Sequence, residues 1–265
     1  MKQLGVFYQM NAQLPHFSLF QKLREGDTFS DVRSQLDESG FHALSSDREQ
    51  GAFAYISDIE DQFLQTFEEL VEGDAFLETL LWLKRHMPSL RLQLRNNLLK
   101  GAGADVRALE IGELCSTHLK AQEQFVTFVG RSQDWSGYTL FTLEKDIDEL
   151  YLSILRSSLE GKSGAYKEYV HILDEQNSQD AQFRTQYETA GAKILESETG
   201  SSALFQELSN EECRFVNRAV IEFDPDLIAL QCYVTHMYLF YDARIVASVP
   251  AKDRGDMLVN YSIQA

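Results

Sequence analysis

Three pairs of side chains and two glycine turns have the types and spacing that chemistry could use. Glu168-Tyr169-Val170-His171 sets a carboxylate and an imidazole three residues apart, half of the ligand set of a di-iron helical bundle. Such a centre needs a second Glu-x-x-His and two further glutamates. No second Glu-x-x-His occurs, and Leu81 stands where a histidine would follow Glu78. Cys115-Ser116-Thr117-His118 and Cys232-Tyr233-Val234-Thr235-His236 each bring a thiol and an imidazole to one helical face, together two sulfurs and two nitrogens for tetrahedral zinc. Against these metal readings stand plainer ones: a solvated helix face for Glu168 and His171, and core thiols for the cysteines. Gly161-Lys162-Ser163 ends as a phosphate loop ends, but that loop needs glycine at position 156, where Arg156 stands. Gly101-Ala102-Gly103 lacks its third glycine at Val106 and follows a helical pattern rather than a strand, so it is no dinucleotide fingerprint. No residue is assigned a catalytic, cofactor or metal role, and the chain reads as a protein without catalytic chemistry of its own.

Charge narrows the partners. The 265 residues carry 41 acids against 24 lysines and arginines, a formal net charge of −17, which opposes nucleic acid and anionic lipid. One segment runs against this field: Lys84, Arg85, Arg91, Arg95, Lys100 and Arg107, with Asp105 the one acid among them. Arg91 and Arg95 lie one turn apart, opposite Leu90, Leu94 and Leu98. They either pair with acids of their own fold or dock an acidic partner. No aromatic side chains are interleaved with them, as a nucleic-acid surface would require.

The elements that must position these residues read as helix almost throughout. Four prolines and fifteen glycines leave little turn chemistry for a β-sandwich. Ile59, Phe63, Phe67, Leu70 and Val71 form a helical stripe that Gly73 ends. Asp74 caps a following helix through Leu83, and Pro88 suits the first turn of another. Further helices are expected over 105–129, 142–159, 165–176, 180–197 and 210–222, with breaks at Trp135-Ser136-Gly137, Gly161–Gly164 and Gly200-Ser201-Ser202. Leu4 to Met10 fits a strand or a helix entry. The last long helix, 226–248, takes Asp224 as its cap and Pro250 just past its end. Its uncharged run, Leu227 to Tyr241, falls short of the roughly 18 residues that a membrane crossing needs, so it predicts a central core helix. The short apolar start, which stops at Gln9, is no secretory leader, and three cysteines fit a reducing, cytoplasmic setting.

An internal repeat organises the chain. Asp58-Ile59-Glu60-Asp61-Gln62-Phe63-Leu64 returns as Asp146-Ile147-Asp148-Glu149-Leu150-Tyr151-Leu152, and Glu72-Gly73 returns as Glu160-Gly161. After a two-residue insertion, Ala75-Phe76-Leu77-Glu78 is echoed by Ala165-Tyr166-Lys167-Glu168. The expected unit is a pair of helices joined at a glycine, with Phe63 and Tyr151 in equivalent buried positions. The expected fold class is all-α, repeated antiparallel helix pairs packed into a bundle or funnel. The divisions are an N-terminal segment 1–57, a first repeat unit 58–141 and a second unit with the C-terminal helices 142–265, in one continuous helical fold.

The second copy, Leu143 to Tyr151 followed by Tyr166-Lys167-Glu168-Tyr169-Val170 and Asp174-Glu175-Gln176-Asn177, resembles the C/d family of connector subunits in vacuolar-type and archaeal rotary ATPases. The tail, Asp242-Ala243-Arg244-Ile245-Val246-Ala247, then Ala251-Lys252-Asp253-Arg254 and Met257-Leu258-Val259, is similar to that family's closing helices. The first copy departs from the pattern, with Lys84-Arg85-His86-Met87 where Asp-x-x-Asn would fall. The resemblance implies a mechanical part: a funnel of helices that sits on the membrane rotor ring and receives the central stalk during proton or sodium transport. It implies a cytoplasmic protein held peripherally at the membrane through other ATPase subunits, without a cofactor. Arg91, Arg95, Asp242 and Arg244 are the candidates for binding those partners, with Asp242 and Arg244 lining a concave surface and Leu239 in the core behind them.

Overall fold

The computed structural model describes residues 4–15, 29–41, 51–99, 123–124, 128, 139–190, 198–222, 224, 227–250 and 257–261. They form eight helices and, among the described residues, no strand: α1 (Leu4–Ala12), α2 (Phe29–Glu38), α3 (Ala52–Leu70), α4 (Ala75–Leu99), α5 (Leu140–Ser157), α6 (Gly164–Ala190), α7 (Glu198–Glu222) and α8 (Ile228–Ser248). The chain is all-α. None of the described helices is long and apolar enough to cross a membrane. Two compact units divide it, one made of residues 1–71 and 193–265, the other of residues 72–192. The divisions therefore fall at 71/72 and 192/193, and the expected boundary at 57/58 lies inside α3.

In the first unit α1, α2, α3 and α7 all pack against α8. Helix α8 is apolar around its circumference, so it must be covered on several sides. Ile228, Cys232, Leu239, Phe240 and Val246 are all buried, with Leu239 fully so. The expected core helix is what forms. Its start differs: Leu227 is the cap residue and no side chain caps the helix, so Asp224 lies one turn too early for that role. Phe67 of α3 meets Phe7 of α1 and Tyr233 of α8, at ring-centre distances of 5.6 and 5.8 Å.

In the second unit α5 packs against both α4 and α6. Gly73 and Gly161 sit in the left-handed region at φ +85° and +75°, which glycine enters without a Cβ penalty. Past Gly73, the Asp74 carboxylate accepts from the N–H groups of Phe76 and Leu77, and Glu78 accepts from the Gly73 N–H. These bonds satisfy backbone donors that an uncapped helix start leaves open. Pro88 does not begin a helix. It lies inside α4, where burial of Leu83, Met87, Leu90 and Leu94 holds the turns on either side of the missing N–H. The expected helix 165–176 and residues 180–190 of the expected helix 180–197 are the single α6, because Asn177-Ser178-Gln179 is polar but contains no breaker, and 191–197 lie outside the described residues. Helix α7 likewise passes through Gly200-Ser201-Ser202. The expected helix 105–129 and the break at 135–137 lie outside the described residues, apart from the helical positions 123–124 and 128.

The repeat is visible in helix register. Helices α3 and α5 begin at Ala52 and Leu140, with the same offset as Asp58 and Asp146, and each leads through a left-handed glycine into the next helix. Positions that correspond in the two copies also meet. Lys162 pairs with Asp74 at 2.5 Å, and the Phe76 and Tyr166 rings lie edge to face at 5.0 Å. The surroundings differ, however. Phe63 is buried while Tyr151 is half-buried, since α3 belongs to the first unit and α5 to the second.

A Cβ on Gly73 or Gly161 would touch nothing, so only backbone strain resists alanine there. Gly73→Ala and Gly161→Ala are each expected to destabilise by about 1 kcal/mol. Gly5→Ala, at an open position inside α1, is expected to stabilise by about 0.5 to 1 kcal/mol. Urea denaturation of the three variants checks both signs.

Candidate functional site

Helices α4 and α5 place the basic pair and its partners. Arg91 and Arg95 stand one turn apart on α4, and Glu144 and Asp148 stand one turn apart on α5. Arg91 forms an ion pair with Glu144 at 3.0 Å and donates to Asp148 at 2.5 Å, and Arg95 donates its Nε–H to Glu144. Glu144 is nearly enclosed, whereas the two guanidiniums keep 30% and 45% of their side-chain surface in water. Helix α4 is thereby clamped to α5. Of the two readings of this basic segment, the structure brings together arginines and acids of the same fold. Lys100 and Arg107 lie outside the described residues.

The end of α8 is built differently from the expectation. Asp242 is fully buried, and its carboxylate accepts the Val259 N–H at 2.8 Å. It cannot line an open concave surface; it fastens the returning C-terminal segment instead. The same segment is held by Asn210 on the Asn260 N–H at 2.8 Å, by Gln206 on the Leu258 carbonyl and by Asn217 on the Tyr261 carbonyl. Tyr261 in turn donates to the Pro15 carbonyl at 2.8 Å. Arg244 is partly exposed but bonded to Glu60 of α3, itself largely buried. Reversing Arg244 to glutamate therefore sets two carboxylates together, which makes it a change to packing between helices as well as to the surface.

The residues with metal-ligating types separate in space. Glu168 is exposed, and His171 pairs with Glu175 one turn along α6, at 3.4 Å and with more than half of each side chain in water. Cys115 and His118 lie outside the described residues. Cys232 and His236 do share a buried face, Sγ to Nδ1 at 3.7 Å, but Nδ1 is 2.7 Å from the Cys232 carbonyl oxygen. A carbonyl only accepts, so Nδ1 carries the proton and offers no lone pair towards the thiol. Burial pushes the Cys232 thiol well up, away from the thiolate that binds metal. Among the described residues no three or more His, Cys, Asp or Glu side chains converge on a metal position.

Among the described residues His236 is nonetheless the most perturbed imidazole. It lies against the Phe63 ring, centres 4.3 Å apart and planes 12° from parallel, with Phe240 and Phe41 around it. Burial lowers its pKa from 6.5 to about 4, against a smaller upward pull from the Cys232 carbonyl. The sequence singled out His236 for its cysteine neighbour and missed its aromatic setting. The pairing of Arg91 and Arg95 with Glu144 and Asp148 left a signal: matching one-turn spacings of opposite charge on two helices.

Removing both arginines takes two counter-charges from a nearly enclosed carboxylate, whereas neutralising the acid leaves two guanidiniums that already touch water, Arg91 still paired with Asp148. The double variant Arg91→Met/Arg95→Met is expected to cost about 3 kcal/mol or more, and Glu144→Gln under about 1.5 kcal/mol. Equilibrium unfolding of both variants measures that asymmetry. The imidazole of His236 binds its proton near pH 6.5 when unfolded but only near 4 when folded. Its contribution to stability is therefore complete above about pH 6.5 and lost as pH falls towards 4, amounting to roughly 3 kcal/mol. His236→Phe, which keeps a ring on Phe63, is expected to flatten the stability profile across that window, as urea titrations at stepped pH would record. No family model, no curated protein and no solved structure matches this chain.

Proposed function

We propose that the chain is a non-catalytic helical connector that works by holding other proteins, in the manner of the C/d family of vacuolar-type rotary ATPase subunits. Its place is between the central stalk and the membrane rotor ring, on the cytoplasmic side, where it transmits torque during proton or sodium transport. One observation supports the reading: the segments that resemble that family lie on helices whose starts repeat at one offset, each followed by a left-handed glycine. Leu143 to Tyr151 lies in α5, and Tyr166 to Asn177 lies in α6, beyond the left-handed Gly161; the first copy occupies α3 and α4 about the left-handed Gly73. Support also comes from how the polar side chains are used. Arg91, Arg95, Arg244 and Asp242 brace helices or chain segments, which suits a part that carries load. Arg91, Arg95 and Arg244 keep part of their surface in water and can still meet an acidic partner at their outer edges.

Co-expression of the full chain with central-stalk and rotor-ring subunits of a vacuolar-type ATPase tests this. The tagged chain is expected to retain the stalk subunits through gel filtration, with the complex weakening as salt rises because part of the attraction is between charges. Failure to retain either the stalk or the ring would overturn the connector reading.

A further inference from the structure

Residues 257–261 return across α7 and α8 and are held there as a bound peptide is held. Leu258, Val259 and Tyr261 are enclosed, while Asn260 among them is half-buried. The backbone of this segment is read by side chains. Gln206 donates to the Leu258 carbonyl, and Asn217 donates to the Tyr261 carbonyl at 3.3 Å. The N–H groups of Val259 and Asn260 donate to Asp242 and Asn210, both at 2.8 Å. The Tyr261 N–H turns back on the Val259 carbonyl at 3.0 Å, and the Tyr261 hydroxyl reaches the Pro15 carbonyl.

Gln206, Asn210 and Asn217 are spaced by four and by seven, so they share one face of α7. Their amides, with the Asp242 carboxylate of α8, supply two donors and two acceptors to the main chain of the returning segment. Such bonds hold any sequence in this backbone shape. Identity is read separately, by enclosed seats for two adjacent aliphatic side chains and for a tyrosine ring whose hydroxyl finds an acceptor. Helices α1, α3 and α7 pack on α8 through contacts of their own, which remain when the segment leaves. Residues 251–256 join the segment to α8, so it acts on its seat at an effective concentration of about a millimolar or more. A free peptide with an intrinsic Kd on the order of 0.1 mM loses about tenfold or more in apparent affinity to such a competitor.

We propose that α7 and α8 form a peptide-docking seat which residues 258–261 keep filled, and that its partner is a segment of another protein with the same pattern: two adjacent aliphatic residues, one further residue, then tyrosine. The seat does not depend on the connector role: a chain that failed to hold the stalk would still contain it.

The probe is acetyl-Met-Leu-Val-Asn-Tyr-amide, a copy of residues 257–261, titrated calorimetrically into the full chain. The full-length variant Leu258→Asp/Val259→Pro puts a charge into an enclosed apolar seat and removes the N–H that Asp242 accepts, so it opens the seat. It is expected to keep its helices by circular dichroism and to bind the peptide at least about tenfold more tightly than the parent chain. Adding Asn210→Ala to this variant is expected to weaken the peptide about threefold or more, and alanine in place of the peptide's tyrosine about tenfold or more. In the parent chain, hydrogen exchange at the Val259 and Asn260 N–H groups is expected to run at least about tenfold faster than at the slowest amides of α8, because the segment leaves before the helices open. The proposal is overturned if those two amides exchange together with α8 or if the opened variant loses its helices. It is equally overturned if the folded opened variant binds the peptide no more tightly than the parent, or binds it unchanged after Asn210→Ala. A parent chain that elutes as a dimer in gel filtration, with the dimer lost in the opened variant, would assign the seat to a second copy and overturn the partner-protein assignment.

Discussion

Helix α8 is enclosed over most of its circumference, and the polar side chains it takes inside are tied by hydrogen bonds to the helix itself or to the elements around it. These ties arrange the first unit. Thr235 returns its hydroxyl to the Gln231 carbonyl, and His236 returns Nδ1–H to Cys232, so both close their donors within the helix. Gln231 cannot do so and reaches outward in two directions. Its side-chain carbonyl accepts from Asn11 of α1 at 3.1 Å, and its side-chain amide donates to Asn217 of α7 at 2.6 Å. Asn217 passes the chain of bonds on to the Tyr261 carbonyl, while Tyr238 bonds Glu212 of α7 and Asp242 takes the Val259 N–H. Apolar burial draws α1, α3 and α7 to α8; these amide and carboxylate bonds fix where along it they sit. An apolar contact tolerates sliding, but an enclosed donor a few ångströms from its acceptor does not.

The second unit is fastened at its margins. Ion pairs join its neighbouring elements: Lys162 on the largely enclosed Asp74, and Arg91 and Arg95 on Glu144 and Arg156 on Asp174, whose guanidiniums keep part of their surface in water. Such pairs contribute less than buried ones and weaken with salt. What lies under them is apolar and aromatic, with Phe76 set against both Tyr166 and Tyr169. One chain thus uses two ways of fixing helix position: an interior polar network in one unit and a charged seam in the other.

What could be read beforehand was local. The stop at Gly73, the cap at Asp74 and the core character of the last long helix depend on residues within a few positions of one another, and all three form. Failures came where distant chain decides. Asp242 looks like a polar residue at a helix end, and nothing near it in sequence says that residues 257–261 return to bury it. Arg91 and Arg95 look like a basic face until α5 brings Glu144 and Asp148. Pro88 and Gly200 look like breaks, but burial of the flanking leucines carries α4 through the proline, and α7 runs on past the glycine. Register repeated faithfully while burial did not: Phe63 and Tyr151 correspond in sequence and turn, yet each answers to different neighbours.

The first unit is assembled from both ends of the described chain, with residues 72–192 inserted between its halves. During synthesis the inserted unit is complete while α8 has yet to be made. Helices α1 to α3 then wait, with Phe7, Phe63 and Phe67 lacking the surface that later covers them. Pairings between residues so far apart in sequence are slow to form, and exposed apolar helices are vulnerable to association in the interval. The inserted unit, whose pairings are closer in sequence, can be finished first. Emergence of α8 and of residues 257–261 from the ribosome is therefore the event that converts a waiting N-terminal half into a closed core.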